Sequence, residues 1–302
     1  MSVSHADRAV AHGGVETPRR PGIAFHALWI MCLVCFAVIY GRESGEMLYN
    51  WNMTDSYYSH GFLIPIISFF FVWRSRGELA QLERRPSVLG LVLIAVSGIG
   101  LLISNFLGFG IFIQLSMVPM IAGLVLAFLG RDYLRTLWFP IFFLLFMIPL
   151  PPSATQAIVL NIKLLATEGA VQLAQLLTYP MIRDGSFVHF GNDKVLVGEV
   201  CGGLRSLIAL LAFGTLMAYI SKTRLSAKII ILLISGPIAI VSNIIRIMFL
   251  CVVGYHFGSE YAVGTLHDIS GIGIFAVAFA MLFTAEALLR KYLPPVGKED
   301  ES

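Results

Sequence analysis

Apolar segments of about membrane-spanning length recur along this chain, separated by short polar connections. A helix that crosses the ~30 Å hydrocarbon core of a bilayer needs about 20 mostly apolar residues. Only 13% of the 302 residues are charged and 57% are hydrophobic, whereas soluble domains carry ~25% charged residues. These proportions exclude an ordinary soluble enzyme and predict an all-α integral membrane protein with about eight transmembrane helices. The predicted helices are residues 23–40, 60–73, 88–107, 110–129, 136–150, 202–221, 229–253 and 269–289.

Most Lys and Arg residues fall on one side of the predicted bundle. They lie in five stretches, residues 1–22, 74–85, 131–135, 222–228 and 290–302. The opposite side holds Arg42, Arg183 and Lys194. Because cytoplasmic loops are enriched in Lys and Arg, we predict two cytoplasmic tails, 1–22 and 291–302, around one membrane domain, 23–290. The net charge of +3 follows this asymmetry and does not indicate a nucleic-acid partner.

Residues 153–178 have a helical pattern but carry more polar side chains than the predicted spans. If this segment crossed the bilayer, the basic connection 222–228 would face outward. We therefore predict an interfacial or a re-entrant helix at the outer face. Residues 181–200 alternate polar and apolar positions around a turn at 191–193, which is typical of a short extracytoplasmic β hairpin.

Cys201 has the sequence setting of an activated thiol. It begins the sixth predicted span, and a helix N-terminus favours the thiolate anion. Gly202 and Gly203 leave room for a substrate backbone, and Arg205, one turn further on the same face, also favours the thiolate. A thiolate is a competent acyl nucleophile. Glu199 opposes ionisation, so a buried structural cysteine is the alternative.

Arg246 and His267 are distant from Cys201 in sequence, but the predicted topology places all three on the outer side. Arg246 lies about 25 Å along the seventh span, where a charged side chain is costly and marks a functional position. His267 immediately precedes the eighth span, and its ordinary pKa of ~6.5 suits acid–base catalysis. As alternatives, Arg246 reaches the lipid headgroups or neutralises Glu199 or Asp268, and His267 caps a helix or lies at the headgroups.

Other polar residues on the predicted outer side are candidates for the same site. His60, at the start of the second span, and the nearby Tyr58 are candidates to line it. His189 and His256 are external as well and, with Glu260 and His267, could contribute zinc ligands. No H-E-x-x-H motif or other tight ligand spacing accompanies them, and neither a P-loop nor a G-x-S-x-G motif occurs. We predict no metal and no cofactor.

The cysteine, the arginine and the histidine are accompanied by several distinctive stretches. These are Tyr58-Ser59-His60-Gly61-Phe62-Leu63-Ile64-Pro65, Phe139-Pro140 through Pro149-Leu150-Pro151, Glu199-Val200-Cys201-Gly202-Gly203-Leu204-Arg205-Ser206-Leu207, Asn243-Ile244-Ile245-Arg246-Ile247, and His267 before the last span. In them the chain resembles the exosortases of the exosortase/archaeosortase superfamily, over about residues 20 to 290. Gly202 departs from the family pattern, which more often has Ser or Ala there, and this bears on substrate preference.

The resemblance implies a multi-pass cysteine protease or transpeptidase of the bacterial inner membrane. Its implied partners are membrane lipids and exported proteins with a C-terminal Pro-Glu-Pro-like motif, the PEP-CTERM type, followed by a transmembrane helix and a basic tail. Cys201 would form a thioester on the periplasmic face, Arg246 would bind the oxyanion or orient the substrate, and His267 would act as acid and base. The expected substrate-binding residues are Arg205, Glu199, His60 and Tyr58.

Two other classes of function are left open. A transporter or an exopolysaccharide-export component would use Arg246 and Lys163 to line a substrate path. The clustering of polar groups at one face, without opposed broken helices, disfavours that reading. A non-catalytic membrane scaffold would depend on none of the three candidate catalytic residues.

Overall fold

The computed structural model describes residues 23–53, 56–191, 193–198, 203–263 and 265–293, with side chains for all of these except 23–26 and 262–268. The helices are α1 (Ile23–Asn52), α2 (Leu63–Arg74), α3 (Arg76–Leu79), α4 (Val88–Leu107), α5 (Gly110–Phe128), α6 (Arg131–Phe143), α7 (Pro152–Leu176), α8 (Leu204–Ile220), α9 (Leu225–Phe257), α10 (Ser259–Val263) and α11 (Thr265–Tyr292). Short 3-10 turns, Ser59–Phe62 and Leu144–Met147, precede α2 and follow α6. The strands are β1 (Met181–Asp184), β2 (Phe187–Phe190) and β3 (Asp193–Leu196).

Six helices in the described part of the chain are long and apolar enough to cross a membrane. They are Ala27–Asn52, Val88–Leu107, Gly110–Phe128, Pro152–Leu176, Leu225–Phe257 and Ile269–Tyr292. The predicted total of eight is not confirmed, because 60–73 and 202–221 correspond to shorter apolar helices and 136–150 to α6, which ends at Phe143. Conversely, α7 is among the six although the sequence analysis assigned it to the membrane surface.

Contacts at the two ends of α8 fix the direction in which it runs. At its start, Arg205 Nε donates a hydrogen bond of 2.8 Å to the carbonyl oxygen of Ser56, just beyond α1. Near its end, Tyr219 stacks on Phe139 of α6 with the ring centroids 3.6 Å apart, and it meets the edge of Phe71 near the end of α2. Helix α8 therefore runs from the end of the bundle that holds Ser56, the Ser56 end, toward the opposite end.

Helix α9 is longer than the hydrocarbon core is thick. Its 33 residues extend for about 50 Å, against ~30 Å of hydrocarbon. It returns along α8, and Asn243 lies against Gly203, the residue before α8 begins. Residues 244–257 therefore continue past the start of α8, on the Ser56 end, for about 21 Å.

The extension of α9 packs against α7 and the sheet. Ile244 lies so close to Gly169 of α7 that a Cβ there would be 2.9 Å from its Cδ1 atom. Beyond this contact, Ala170 of α7, Val188 of β2 and Cys251 of α9 share one buried apolar cluster. We call the assembly of α7, β1–β3 and residues 244–257 the α7 lobe.

The sheet has three antiparallel strands in the order β1-β2-β3, where the sequence predicted a hairpin. Strands β2 and β3 form that hairpin, in which Val188 pairs with Val195. Strand β1 is the addition, and it pairs with the other edge of β2. Arg183 of β1 also donates a hydrogen bond of 2.7 Å to the carboxylate of Glu168, which ties the sheet to α7.

The sheet is joined to the turn that leads to α10 and α11. An oxygen of the Asp193 carboxylate accepts a hydrogen bond of 3.1 Å from the backbone N–H of Ser259. Hydrogen bonds from Ser259 and from the backbone N–H of Lys194 hold the pKa of Asp193 below its ordinary value. The beginning of α10 is thereby tied to the α7 lobe.

Candidate active site

Two of the predicted site residues, Cys201 and Glu199, lie outside the described residues, as does Gly202. The backbone of His267 belongs to the first turn of α11, but its side chain is also outside the description. Their roles therefore stay predictions. The described residues beside them still define how the surrounding backbone is held.

Gly203, two residues after Cys201, packs directly on α9. It precedes the first residue of α8 with a φ of 78°, in the left-handed region that glycine adopts without strain. A Cβ at this position would lie 2.6 Å from Nδ2 of Asn243. The Asn243 side chain is only 2% exposed. The backbone beside the predicted nucleophile is therefore pressed against the middle of α9.

Arg246 lies one helical turn beyond Asn243, and it reaches α11. Its Nε donates a hydrogen bond of 3.2 Å to Oγ of Ser270. Gly271 lies beside the guanidinium, since a Cβ at that position would be 3.4 Å from an Nη atom. Ser270 comes three residues after His267 in the same helix, and residues at this spacing share a helix face. The arginine is thus anchored one turn from the predicted acid–base residue.

Arg205 is positioned by the segment that follows α1. Its Nε donates to the carbonyl oxygen of Ser56 at 2.8 Å, and Ser56 is buried. Because Arg205 is four residues after Cys201, this bond links the predicted nucleophile segment to the residues before α2. The expectation that Arg205 also contacts substrate stays a prediction.

Tyr58 and His60 both lie at this end of the bundle. Tyr58 is 6% exposed, and its hydroxyl oxygen accepts a hydrogen bond of 2.9 Å from the backbone N–H of Leu150. Burial raises the pKa of the Tyr58 phenol, and the bond from Leu150 opposes this shift. The His60 ring lies 6.0 Å from the Tyr58 ring, and its buried nitrogens make no hydrogen bond of good geometry, although the backbone of Phe146 is close.

A cavity of about 350 Å³ opens beside these residues. Its walls come from the end of α1, residues 56–58, the proline-containing turn 149–152 and the first three turns of α7. Both Ser56, which holds Arg205, and Tyr58 line it. Lys163 is the only charged side chain among the described lining residues. The cavity therefore lies next to Ser56, which binds Arg205 at the start of α8.

The described histidines outside this region lie in or next to the α7 lobe. His189 Nε2 is 3.9 Å from an oxygen of Asp184, and His256 Nε2 is 3.3 Å from the hydroxyl of Tyr179. No group of three or more His, Cys, Asp or Glu side chains able to hold a metal occurs among the described residues. That part of the chain offers no cluster in support of the zinc alternative.

The fold defines a helical integral membrane protein in which an arginine, an asparagine and a serine from two helices meet beside the start of a third. A family model for transmembrane exosortases matches residues 51–284, which is most of the chain. The chain therefore belongs to the transmembrane exosortase family, a family of cysteine proteases and transpeptidases with a role in protein sorting. Comparison with curated proteins and with solved structures gave no match.

Sequence reasoning assigned no role to three residues that organise this region. Asn243 contacts the glycine before α8, and Ser270 accepts a hydrogen bond from the guanidinium of Arg246. Ser56 accepts the hydrogen bond from Arg205. A signal was available for two of them, since Asn243 and Ser270 lie three residues from Arg246 and His267 on their own helices. The role of Ser56 depends on a contact 149 residues away in sequence, which no local pattern reveals.

Proposed function

We propose that this protein is a membrane-embedded cysteine protease or transpeptidase that cleaves C-terminal sorting signals of exported proteins. Its substrates would carry a Pro-Glu-Pro-like motif, a transmembrane helix and a basic tail. Cleavage takes place at the extracytoplasmic face of a bacterial inner membrane. Cys201 is the nucleophile, Arg246 stabilises the oxyanion and His267 is the acid and base.

One chain of contacts carries the proposal. Gly203, next to the nucleophile segment, lies against Asn243, and Arg246 follows one turn later. Arg246 donates a hydrogen bond to Ser270, which lies one turn from His267 on α11. Gly203, two residues after the cysteine, and the backbones that bear the arginine and the histidine are therefore neighbours, which supports the arrangement that acyl transfer requires.

The reaction follows from the chemistry of these three groups. The Cys201 thiolate attacks the carbonyl carbon of the scissile peptide bond, and the guanidinium of Arg246 stabilises the negative charge that forms on the oxygen. The C–N bond then breaks while the imidazolium of His267 gives its proton to the departing amine. A thioester remains on Cys201, and water or an acceptor amine resolves it with His267 as the base.

The direction of α8 favours a site at the outer face. The positive-inside rule predicts that Arg74, Lys222 and the tails are on the cytoplasmic side. Tyr219 lies beside Phe71, near the end of α2, at the opposite end of α8 from Arg205. The Ser56 end, with the α7 lobe, then faces the periplasm. In this topology α7 does not cross the membrane. The eight crossings are α1, Ser59–Arg74, α4, α5, α6 with its 3-10 turn, α8, α9 and α11.

The membrane itself contributes to substrate positioning. A substrate that is anchored by its own transmembrane helix diffuses in two dimensions and presents its cleavage site at a fixed depth. This restriction raises the effective concentration of the scissile bond at Cys201. A reporter that lacks the transmembrane helix is therefore expected to be a poor substrate.

Processing of an exported reporter tests the proposal. The reporter ends in a Pro-Glu-Pro segment, an apolar helix and a basic tail, and it is expressed in cells with the enzyme or a variant. Cys201→Ala is expected to abolish processing and leave the full-length reporter in the membrane fraction. Cys35→Ala removes an exposed cysteine of α1 and serves as the matched control. Normal processing by Cys201→Ala would refute the proposed mechanism and favour the transporter or scaffold alternatives.

A further inference from the structure

We propose that the cavity lined by Lys163 binds an extended peptide segment through a carboxylate of that segment. This inference rests on the proposed function, because it names the part of the protein that would recognise the substrate ahead of cleavage. The occupant is an acidic residue flanked by apolar or proline residues. The Lys163 ammonium is its counter-charge.

The walls of the cavity are held in place by hydrogen bonds. The backbone N–H of Leu150 donates to the Tyr58 hydroxyl at 2.9 Å, and Trp51 Nε1 donates to the carbonyl oxygen of Met147 at 3.0 Å. Thr155 at the start of α7 donates to the carbonyl oxygen of Leu150 at 3.3 Å. These bonds connect α1, the segment before α2 and the proline turn. The cavity is thus preformed, as small-ligand and peptide sites usually are.

The charge of the described lining residues favours an anion. Lys163 is half-buried and makes no salt bridge with any carboxylate among the described residues. Glu168, a nearby acid on the same helix, is instead paired with Arg183 at 2.7 Å. An ammonium group in a partly desolvated cleft attracts an anionic ligand more strongly than one at an open surface.

The remaining lining favours a peptide over a lipid headgroup. Tyr57, Tyr58 and the two lining prolines of the 149–152 turn give rigid apolar and aromatic walls, of the kind that holds extended proline-containing segments. Asn50 and Gln156 add amide donors and acceptors, which can pair with a peptide backbone.

The position of the cavity fits recognition close to the scissile bond. Ser56 lines the cavity and also accepts the hydrogen bond from Arg205, four residues after Cys201. Extended peptide advances about 3.3 Å per residue. If the scissile bond lies near the start of α8, a carboxylate held at Lys163 is expected within a few residues of it along the peptide.

A binding assay without catalysis tests the inference. Cys201→Ala protein is reconstituted in vesicles of zwitterionic lipid and titrated with a fluorescent peptide that contains Pro-Glu-Pro ahead of an apolar helix. We expect Lys163→Met, made in the same background, to weaken binding by about tenfold or more, as for a lost charge-assisted hydrogen bond. A peptide with Gln in place of Glu should bind both proteins equally weakly. Lys194→Met, on exposed β3, is the matched control and should not change the affinity.

Charge exchange gives a second, independent readout. Lys163→Glu should lose affinity for the acidic peptide and regain affinity for a peptide with Lys in place of Glu. Equal binding of the acidic peptide by Lys163→Met and its parent would overturn the inference. The inference would also be overturned if Lys163→Met kept its affinity for the acidic peptide but no longer responded to added phosphatidylglycerol. Lys163 would then bind lipid.

The proposed function and this inference fail in different ways. Reporter cleavage that does not depend on Lys163 in an enzyme that still requires Cys201 overturns the peptide site alone. Lys163-dependent binding by a protein that never cleaves the reporter overturns the protease and keeps the peptide site. Lys163→Arg should retain most of the affinity for the acidic peptide, and that result would show that the site still folds when Lys163 is replaced.

Discussion

Gly203 shows how much of the predicted site depends on the backbone of one residue. Its left-handed conformation lets the chain enter α8 immediately after the nucleophile segment, with Asn243 of α9 packed against it. Any side chain here would collide with Asn243 and would also hold an unfavourable φ. The start of α8 is thus fixed against α9, three residues before Arg246, by a residue that carries no chemistry of its own.

We expect Gly203→Ala to destabilise the protein and to reduce processing. The left-handed conformation costs an alanine about 1–2 kcal/mol, and the overlap with Asn243 adds about 1–3 kcal/mol. Gly185→Ala is the matched control, since Gly185 also has a positive φ of 58° but has no heavy atom within 4 Å of the added Cβ. Thermal unfolding in detergent should show the larger loss for Gly203→Ala. Equal losses would mean that the contact with Asn243 carries no energy.

The sequence predicts which residues make up the candidate site, but not the contacts that support them. An arginine within an apolar span, a cysteine at a helix start and a histidine before a span are each visible in the sequence, because such residues are costly or unusual there. The partners that hold Arg246 and the nearby Arg205 are ordinary polar residues, Ser270 and Ser56 respectively. Their importance comes from contacts between distant segments, which local patterns do not encode.

Among the secondary-structure elements, the turn at 149–152 has the widest influence. Its prolines stop the preceding helical turn, and Pro152 begins α7 at the position where proline is favoured. The same turn contributes a wall of the cavity, and its Leu150 N–H donates a hydrogen bond to the Tyr58 hydroxyl. It therefore fixes where the membrane bundle ends and where the α7 lobe begins.

We expect Tyr58→Phe to weaken this junction. The change leaves the ring in place but removes the acceptor of the Leu150 N–H, and an unpaired, partly buried amide costs about 1–3 kcal/mol. The melting temperature in detergent should fall, and affinity for the acidic peptide should fall with it because Tyr58 lines the cavity. Tyr49→Phe, at a position of α1 that is 69% exposed, should have neither effect. Unchanged stability of Tyr58→Phe would show that the Leu150 N–H finds another partner.

The boundaries of the elements show where sequence patterns succeed. The predicted segments 88–107 and 110–129 agree with α4 and α5 because Gly108, with a φ of 74°, ends the apolar run of α4 in the left-handed cap that glycine favours. Helix α1 instead continues to Asn52, well beyond the predicted 40. There Glu43 is buried and accepts a hydrogen bond of 3.3 Å from Gln114 of α5. A polar residue that looks like the end of a span is in fact satisfied by a neighbouring helix.

For the whole molecule, the central question is on which side of the membrane the chain emerges after α7. Helix α7 is long and apolar enough to cross, so composition alone assigns it to the membrane. It also carries Lys163 and Glu168, and each charge costs about 2.5–3.5 kcal/mol at the centre of a bilayer. Its contacts with Leu150 at one end and with the sheet and residues 244–257 along its length place it at the Ser56 end of the bundle.

Cysteine labelling distinguishes the two topologies. In a background in which the four native cysteines are replaced by alanine, Ile182→Cys on β1 and Lys222→Cys between α8 and α9 are compared in spheroplasts. If α7 stays at the outer face, a membrane-impermeant maleimide labels Ile182→Cys directly and Lys222→Cys only after permeabilisation. If α7 crosses, the two results exchange, because every later connection changes sides. Tyr49→Cys, near the outer end of α1, is the reference for outer labelling in both cases. The exchanged pattern would move Arg205 and Arg246 to the cytoplasmic side and would rule out cleavage of exported proteins at this site.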